Sequence, residues 1–338
     1  MSVTDILTRT ALRAMTRLPG ALVARLAGTP VQVDGQRLDP LVQLLLRASG
    51  QAEDRIGSVD ELRADFDRQG DWLAPQPQRP VARSDLTLPG GAGPRPVRRY
   101  RPQGISQGAV LFLHGGGYVG GSIASHDAVC AALADRAGAQ VFALDYRLAP
   151  DHPFPAAPQD AIAAFRALVQ RAPDFGIDPR RIAVAGDSAG GALAAIVAQA
   201  CRADAVPPRF QMLWVPWVDL AGRYPSDDLF GTGFFLTSER LGWYRDHYLA
   251  GADAADPLAS PITGDVAGVC PAAVMVAAFD PLRDQGRAYA ARLKAAGVPV
   301  DLRVVAGVPH IMLNAAGHIP AAAPAMDDAA ALIRQALA

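Results

Sequence analysis

No stretch of these 338 residues strings together the roughly 20 apolar positions that a membrane-spanning helix needs, so integral membrane association is not expected. Cysteine is scarce as well: Cys130, Cys201 and Cys270 are odd in number, widely spaced and form no CxxC pair. That pattern offers no disulfide framework, and each cysteine reads as a small buried hydrophobe in a reducing compartment. The six histidines include no HxxxH or HExxH spacing, so no metal site is expected. Lysine occurs once, at Lys294, which removes the lysine that a phosphate-binding loop requires. With 32 basic against 33 acidic residues the net charge is −1, and a nucleic-acid partner finds no support. Arg9, Arg13 and Arg17 near the start are accompanied by no apolar run longer than Ala21–Ala24. A secretory signal needs roughly 7–15 such residues, so the cytoplasm is the expected location.

What the chain does have is apolar surface to bury. Half of it is hydrophobic and 19% is charged, against roughly 25% in an average soluble domain, which excludes a disordered chain. Residues 1–80 read as a helical segment. Ile6, Ala11, Met15 and Leu18 approximate one helix face, and Leu38, Leu41, Leu44 and Leu45 mark a second helix. Val59, Leu62 and Phe66 mark a third, with Ser58 and Glu61 spaced as a capping box. The arginine-bearing first helix is expected to pack on the protein's own core and not on a membrane surface, since it is poor in Trp and Phe.

From about residue 81 to 338, short apolar runs alternate with Ala-rich helical stretches. Strands are expected at Val97–Tyr100, Ala109–Leu113, Gln140–Asp145, Arg181–Ala185, Phe210–Val215, Ala272–Ala278 and Asp301–Ala306. Helices are expected at His126–Ala137, Pro158–Arg171, Gly190–Ala203, Gln285–Ala296 and Ala321–Leu337. This alternation implies an α/β fold, with a parallel sheet covered on both faces and loop chemistry at the carboxyl ends of its strands. Residues 218 to about 262 interrupt it with many aromatics and no clear strand, as a cap insertion over a site would.

The strongest chemical signal is Gly186-Asp187-Ser188-Ala189-Gly190, lying between a strand and a helix. In that context GxSxG is a nucleophile elbow: Gly186 and Gly190 leave room for a tight turn that lifts the Ser188 hydroxyl above the sheet. His114-Gly115-Gly116-Gly117 follows the strand Ala109–Leu113, and its bare backbone suits an oxyanion hole made by Gly116, Gly117 and Ala189. His114 is expected to anchor that loop. A serine needs a base, and the base needs a carboxylate. Asp280 and His310 each follow a strand, in the order Ser, Asp, His that this fold uses, and are preferred over Asp284 and His318.

These motifs resemble those of the hormone-sensitive-lipase family of α/β-hydrolases, the bacterial carboxylesterases of HGGG type. The resemblance rests on HGGGY at 114–118, DYRLAPDHPFPAA at 145–157, GDSAGG at 186–191, FDPLRDQG at 279–286 and the histidine of GVPHIM, in the family's order. VDGQRLDP near the N-terminus is similar to its cap region. The resemblance implies an α/β-hydrolase fold with a mostly parallel sheet, a Ser188–His310–Asp280 triad, oxyanion donors at Gly116, Gly117 and Ala189, no cofactor, and a homodimer through the strand near Asp301–Ala306. Departures are Asp151 where the family usually has glutamate, Ala192 where asparagine is frequent, and Ile311 where a small residue is common. The expected activity is hydrolysis of short- to medium-chain small-molecule esters, in an enclosed pocket bounded by Tyr118, Phe230, Phe234, Phe235 and Ile311. A ligand-binding protein on a hydrolase scaffold and an interfacial lipase are the alternatives.

Overall fold

A five-residue run such as AVLFL at Ala109–Leu113 has no polar face, so it can be a strand only where both sides are covered. The computed structural model, which describes residues 3–49, 57–70, 72–104, 107–310 and 312–338, places it at the middle of an eight-stranded sheet. The chain enters through helices α1 (Val3–Met15) and α2 (Gly20–Ala27), a hairpin of β1 (Gln32–Val33) and β2 (Gln36–Arg37), then α3 (Pro40–Ser49) and α4 (Val59–Gln69). The capping box forms as its spacing predicts: Ser58 Oγ accepts from Glu61 N–H, and Glu61 Oε2 accepts from Ser58 N–H at 2.9 Å. Such a cap contributes about 1 kcal/mol to a helix end.

The sheet is built from β3 (Ala82–Gly90), β4 (Gly93–Arg101), β5 (Ala109–Leu113), β6 (Gln140–Leu144), β7 (Ile182–Asp187), β8 (Gln211–Trp214), β9 (Ala272–Phe279) and β10 (Val300–Pro309). Their order is β10-β9-β8-β7-β5-β6-β4-β3. The pairs from β10 to β6 are parallel, and β4 and β3 close the far edge antiparallel. Between strands run α5 (Asp127–Ala137), α6 (Ala156–Gln170), α7 (Ala189–Ala200), α8 (Pro225–Phe230), α9 (Ser238–Leu249) and α10 (Arg283–Ala295); α11 (Met312–Ala315) and α12 (Ala323–Ala336) end the chain.

Alternation along each strand sends side chains to two cores. Leu111, Leu113, Val184 and Val276 pack with Phe165, Leu193 and Leu293 of α6, α7 and α10. Val110, Phe112, Ala185, Met212 and Trp214 pack on the other face with Leu133 of α5 and Met326 and Ile333 of α12. Met15 and Leu18 join that second core, together with Val23, Leu41, Val42 and Leu45, so the N-terminal helices do pack on the protein itself. Ile6 and Ala11, expected on the same face, are exposed. Among the described residues no helix is long and apolar enough to cross a membrane.

Register sets up the site. Leu113 is paired with Gly186, so the loops that leave β5 and β7 emerge side by side. At the sheet's other edge an irregularity between Val305 and Pro309 brings Pro309 opposite Phe279, which makes Asp280 and His310 neighbours.

Candidate active site

The turn between β7 and α7 holds Ser188 at φ 56°, ψ −120°, a left-handed conformation that costs a non-glycine residue about 1–3 kcal/mol. The surrounding backbone holds it there: Ser188 N–H donates to Trp214 O at 2.9 Å, and Ser188 O accepts from Ala192 and Trp217 N–H at 3.1 and 3.0 Å. Gly190 is needed because a Cβ there would collide with Leu113 O on the neighbouring strand.

Above the turn, Ser188 Oγ lies 2.9 Å from His310 Nε2, and His310 Nδ1 lies 2.8 Å from Asp280 Oδ2. Asp280 is fully buried, and its other oxygen accepts from Leu282 N–H at 2.9 Å. Both carboxylate oxygens are therefore occupied, which fixes the ring orientation of His310. The rival residues lie elsewhere. Asp284 accepts from Ser226 N–H at 3.1 Å and pairs with Arg283. His318 follows α11, and its pKa is held below the ordinary value by burial and then by Arg13, Arg17 and Arg9.

The loop after β5 is anchored at its first two residues. His114 stacks on Tyr146 at 4.3 Å, its Nδ1 lies 2.9 Å from Gly115 O, and its carbonyl accepts from Tyr146 Oη at 2.7 Å. Complete burial, followed by the nearby His126, lowers its pKa to about 3, so the ring stays neutral at working pH and acts as an anchor. Gly115 N–H donates to Asp187 Oδ1 at 3.0 Å. Gly117, at φ 62°, has no room for a side chain because the Tyr244 ring of α9 lies where its Cβ would go. Among the described residues no protein acceptor takes the N–H groups of Gly116, Gly117 or Ala189. Those donors remain available to a ligand.

A cavity of about 360 Å³ opens over Ser188 and His310. Gly115, Gly116 and Gly117 form part of its wall, with Leu62 and Phe66 from α4, Trp217, and Phe235, Leu236, Leu241 and Tyr244 on or before α9. Asp65, Gln69, Arg240 and Asn314 add polar groups. Of the expected pocket residues, Phe235 lines this space and Ile311 falls outside the described residues. Tyr118, Phe230 and Phe234 do not line it, which corrects the sequence expectation. Tyr118 is fully buried and stacked on Tyr248 at 3.8 Å. Phe230 packs against Phe279 and Phe234, under the Arg283 guanidinium. Asp151 is exposed and accepts from Arg63 of α4 at 2.7 Å, outside the cavity wall.

Sequence reading missed His126, which reaches Asp187 and the cavity wall from the start of α5. It also missed Leu241 and took Tyr244 only as one of the cap aromatics, although Leu241, Tyr244 and Tyr248 recur at helical spacing and mark one face of α9. Among the described residues no cluster of three His, Cys, Asp or Glu side chains is placed to hold a metal ion.

Comparison with known proteins agrees with this arrangement. Residues 110–314 match the family described as alpha/beta hydrolase fold. Carboxylic ester hydrolase LipN of Mycobacterium tuberculosis is 44% identical over 306 residues, covering 85% of this chain and 80% of LipN. Ethyl acetate hydrolase of Pseudomonas putida is 44% identical over 261 residues, 75% of this chain and 82% of that enzyme. A hyperthermophilic esterase of the archaeon Pyrobaculum calidifontis shares the fold with a TM-score of 0.84 at 37% identity, covering 89% of this chain and 99% of the esterase. One family spans more than half the chain and esterases match it in both sequence and structure: it belongs to the α/β-hydrolases and, among them, to the carboxylesterases of the hormone-sensitive-lipase family.

Proposed function

We propose that the chain is a serine carboxylesterase for short- to medium-chain acyl esters, with Ser188 as nucleophile, His310 as base and then acid, and Asp280 as the carboxylate that orients the imidazole. The observation that carries this reading is the unbroken line from Asp280 through His310 to Ser188, at 2.8 and 2.9 Å, opening on the cavity. His310 takes the Ser188 proton as Oγ attacks the ester carbonyl. Negative charge then collects on the carbonyl oxygen, where the N–H groups of Gly116, Gly117 and Ala189 stabilise it. The alcohol leaves with the proton from His310. Water then gives a proton to His310 as it attacks the acyl-enzyme; the bond to Ser188 Oγ breaks, the acid leaves and His310 returns the proton to Oγ. In this reading residues 1–80 and 218–262 cap a catalytic domain of residues 81–338, because α4 and α9 both contribute cavity wall. The test is a fluorophosphonate probe, expected to form one adduct, on Ser188. A folded protein that stays unlabelled would end the reading.

Cavity size sets the expected chain-length profile. At about 360 Å³ the space lies near the lower end of the roughly 300–1,000 Å³ typical of small-molecule pockets. Each added methylene gains about 0.8 kcal/mol only while apolar space remains, and overpacking then reverses the gain. Across p-nitrophenyl esters, kcat/KM is expected to peak at about two to eight acyl carbons and to fall beyond. Equal rates on the palmitate and the butyrate would favour a lipase.

A homodimer through β10 belongs to the same proposal. Among the described residues β10 has a strand, β9, on one side only, Asp39 N–H reaches Gly307 O near its end at 2.9 Å, and Val304 is 39% exposed. Sedimentation is expected to give a dimer, and Val304→Lys, which places charge on the sheet edge, a monomer. A cytoplasmic location is supported by the free thiols of Cys130, Cys201 and Cys270.

A further inference from the structure

Asp187 precedes the nucleophile and is buried, yet it stands outside the line from Ser188 to Asp280. Its Oδ1 holds the N–H of Gly115, the first glycine of the loop that carries Gly116 and Gly117. Its other neighbour is His126, 2% exposed, whose Nε2 lies 3.3 Å from Oδ1 and 3.4 Å from Oδ2. On the far side of the ring, His126 Nδ1 lies 2.9 Å from Ser125 Oγ, which is itself 3.0 Å from Ser122 O. A hydroxyl has one proton to give. If Ser125 gives it to His126 Nδ1, the neutral ring carries its hydrogen on Nε2. That arrangement aims an N–H at the Asp187 carboxylate, whereas a bare Nε2 facing it would be repelled.

Burial alone would raise the Asp187 pKa, but His126, followed by His114 and the Gly115 N–H, outweighs it and holds the group below its usual range. Both Asp187 and His126 reach the cavity wall beside Ser188. A negative charge there opposes the negative charge that the reaction develops on the ester oxygen, the more so where water is excluded. We propose that His126 is a positioning residue: it balances the Asp187 carboxylate, so that Asp187 can hold the glycine loop through Gly115 without opposing the oxyanion. The proposal rests on the esterase reading above.

The test compares His126→Ala, His126→Gln and the double variant His126→Ala/Asp187→Asn with the parent enzyme. It uses p-nitrophenyl butyrate turnover and a trifluoromethyl ketone, which adds Ser188 to form an anionic adduct. His126→Ala is expected to lower kcat about 30-fold or more with KM within about threefold, and to weaken the ketone in proportion. Asparagine at 187 can still accept from Gly115 N–H but carries no charge to balance. The double variant is therefore expected to regain about tenfold or more of the lost turnover. His126→Gln keeps an N–H toward Asp187 and is expected within about fivefold of the parent, so the idea remains testable if the alanine variant fails to fold. A double variant no faster than His126→Ala, or a folded His126→Gln with kcat and ketone affinity both down about 30-fold, overturns it. A parent enzyme that neither turns over nor binds the phosphonate overturns the esterase reading and this proposal together.

Discussion

Ser188→Ala is expected to abolish ester hydrolysis, a loss of about 10⁴–10⁶ in kcat, while the fold persists. The two effects separate because the serine's structural contacts are made by its backbone. Its N–H bonds Trp214 O, and its carbonyl accepts from Ala192 and Trp217, contacts that alanine keeps. The left-handed φ of 56° strains alanine about as it strains serine. What alanine removes is Oγ, whose partner is His310 Nε2. The thermal midpoint should therefore move by less than about 3 °C, and the fluorophosphonate adduct should vanish. A purified variant retaining a tenth of the parent turnover would falsify the assignment of Ser188 as nucleophile.

This part of the site was legible in the sequence because its constraints are local or nearly so. A tight strand–turn–helix leaves no room at Gly190, and that requirement is visible in five consecutive letters. The buried strands were legible for a similar reason, since Ala109–Leu113 has nothing polar to offer water. β3 was not. ARSDLTLPG is mostly exposed and has no apolar run; it becomes a strand because it pairs with β4 from Ala82–Arg101 to Gly90–Gly93. α2 was also missed, a short helix held by burial of Val23 and Ala27. The aromatics between 218 and 262 were visible, but their directions were not. Phe230 turns toward Phe279, whereas Tyr244 turns toward Gly117, and only the tertiary packing decides which. His126 is the clearest limit. It lies 61 residues from Asp187, and nothing in its neighbourhood marks it as the partner of that carboxylate.

Asp280 and His310 are expected to act as one unit with Ser188, and stability offers a second axis on which to see it. His310→Ala should cost about 10⁴–10⁶ in kcat and Asp280→Asn about 10⁴, because the carboxylate acts through the base. Once His310 is gone, Asp280 has nothing left to orient, so the double variant should lose less than about tenfold more than His310→Ala alone. Stability should move the other way. Asp280 is fully buried, and after His310→Ala its Oδ2 loses its partner while Oδ1 keeps Leu282 N–H. An unsatisfied buried polar group costs about 1–3 kcal/mol, and more when it is charged. Replacing the carboxyl with an amide removes the charge, so the double variant should unfold at a higher temperature than His310→Ala while being no more active. His318→Gln supplies the control. His318 lies beyond the cavity wall, beside the arginines of the N-terminal segment, and its loss should leave kcat within about threefold of the parent. Additive losses at Asp280 and His310 would contradict the triad. A collapse of turnover in His318→Gln would instead identify His318 as the base.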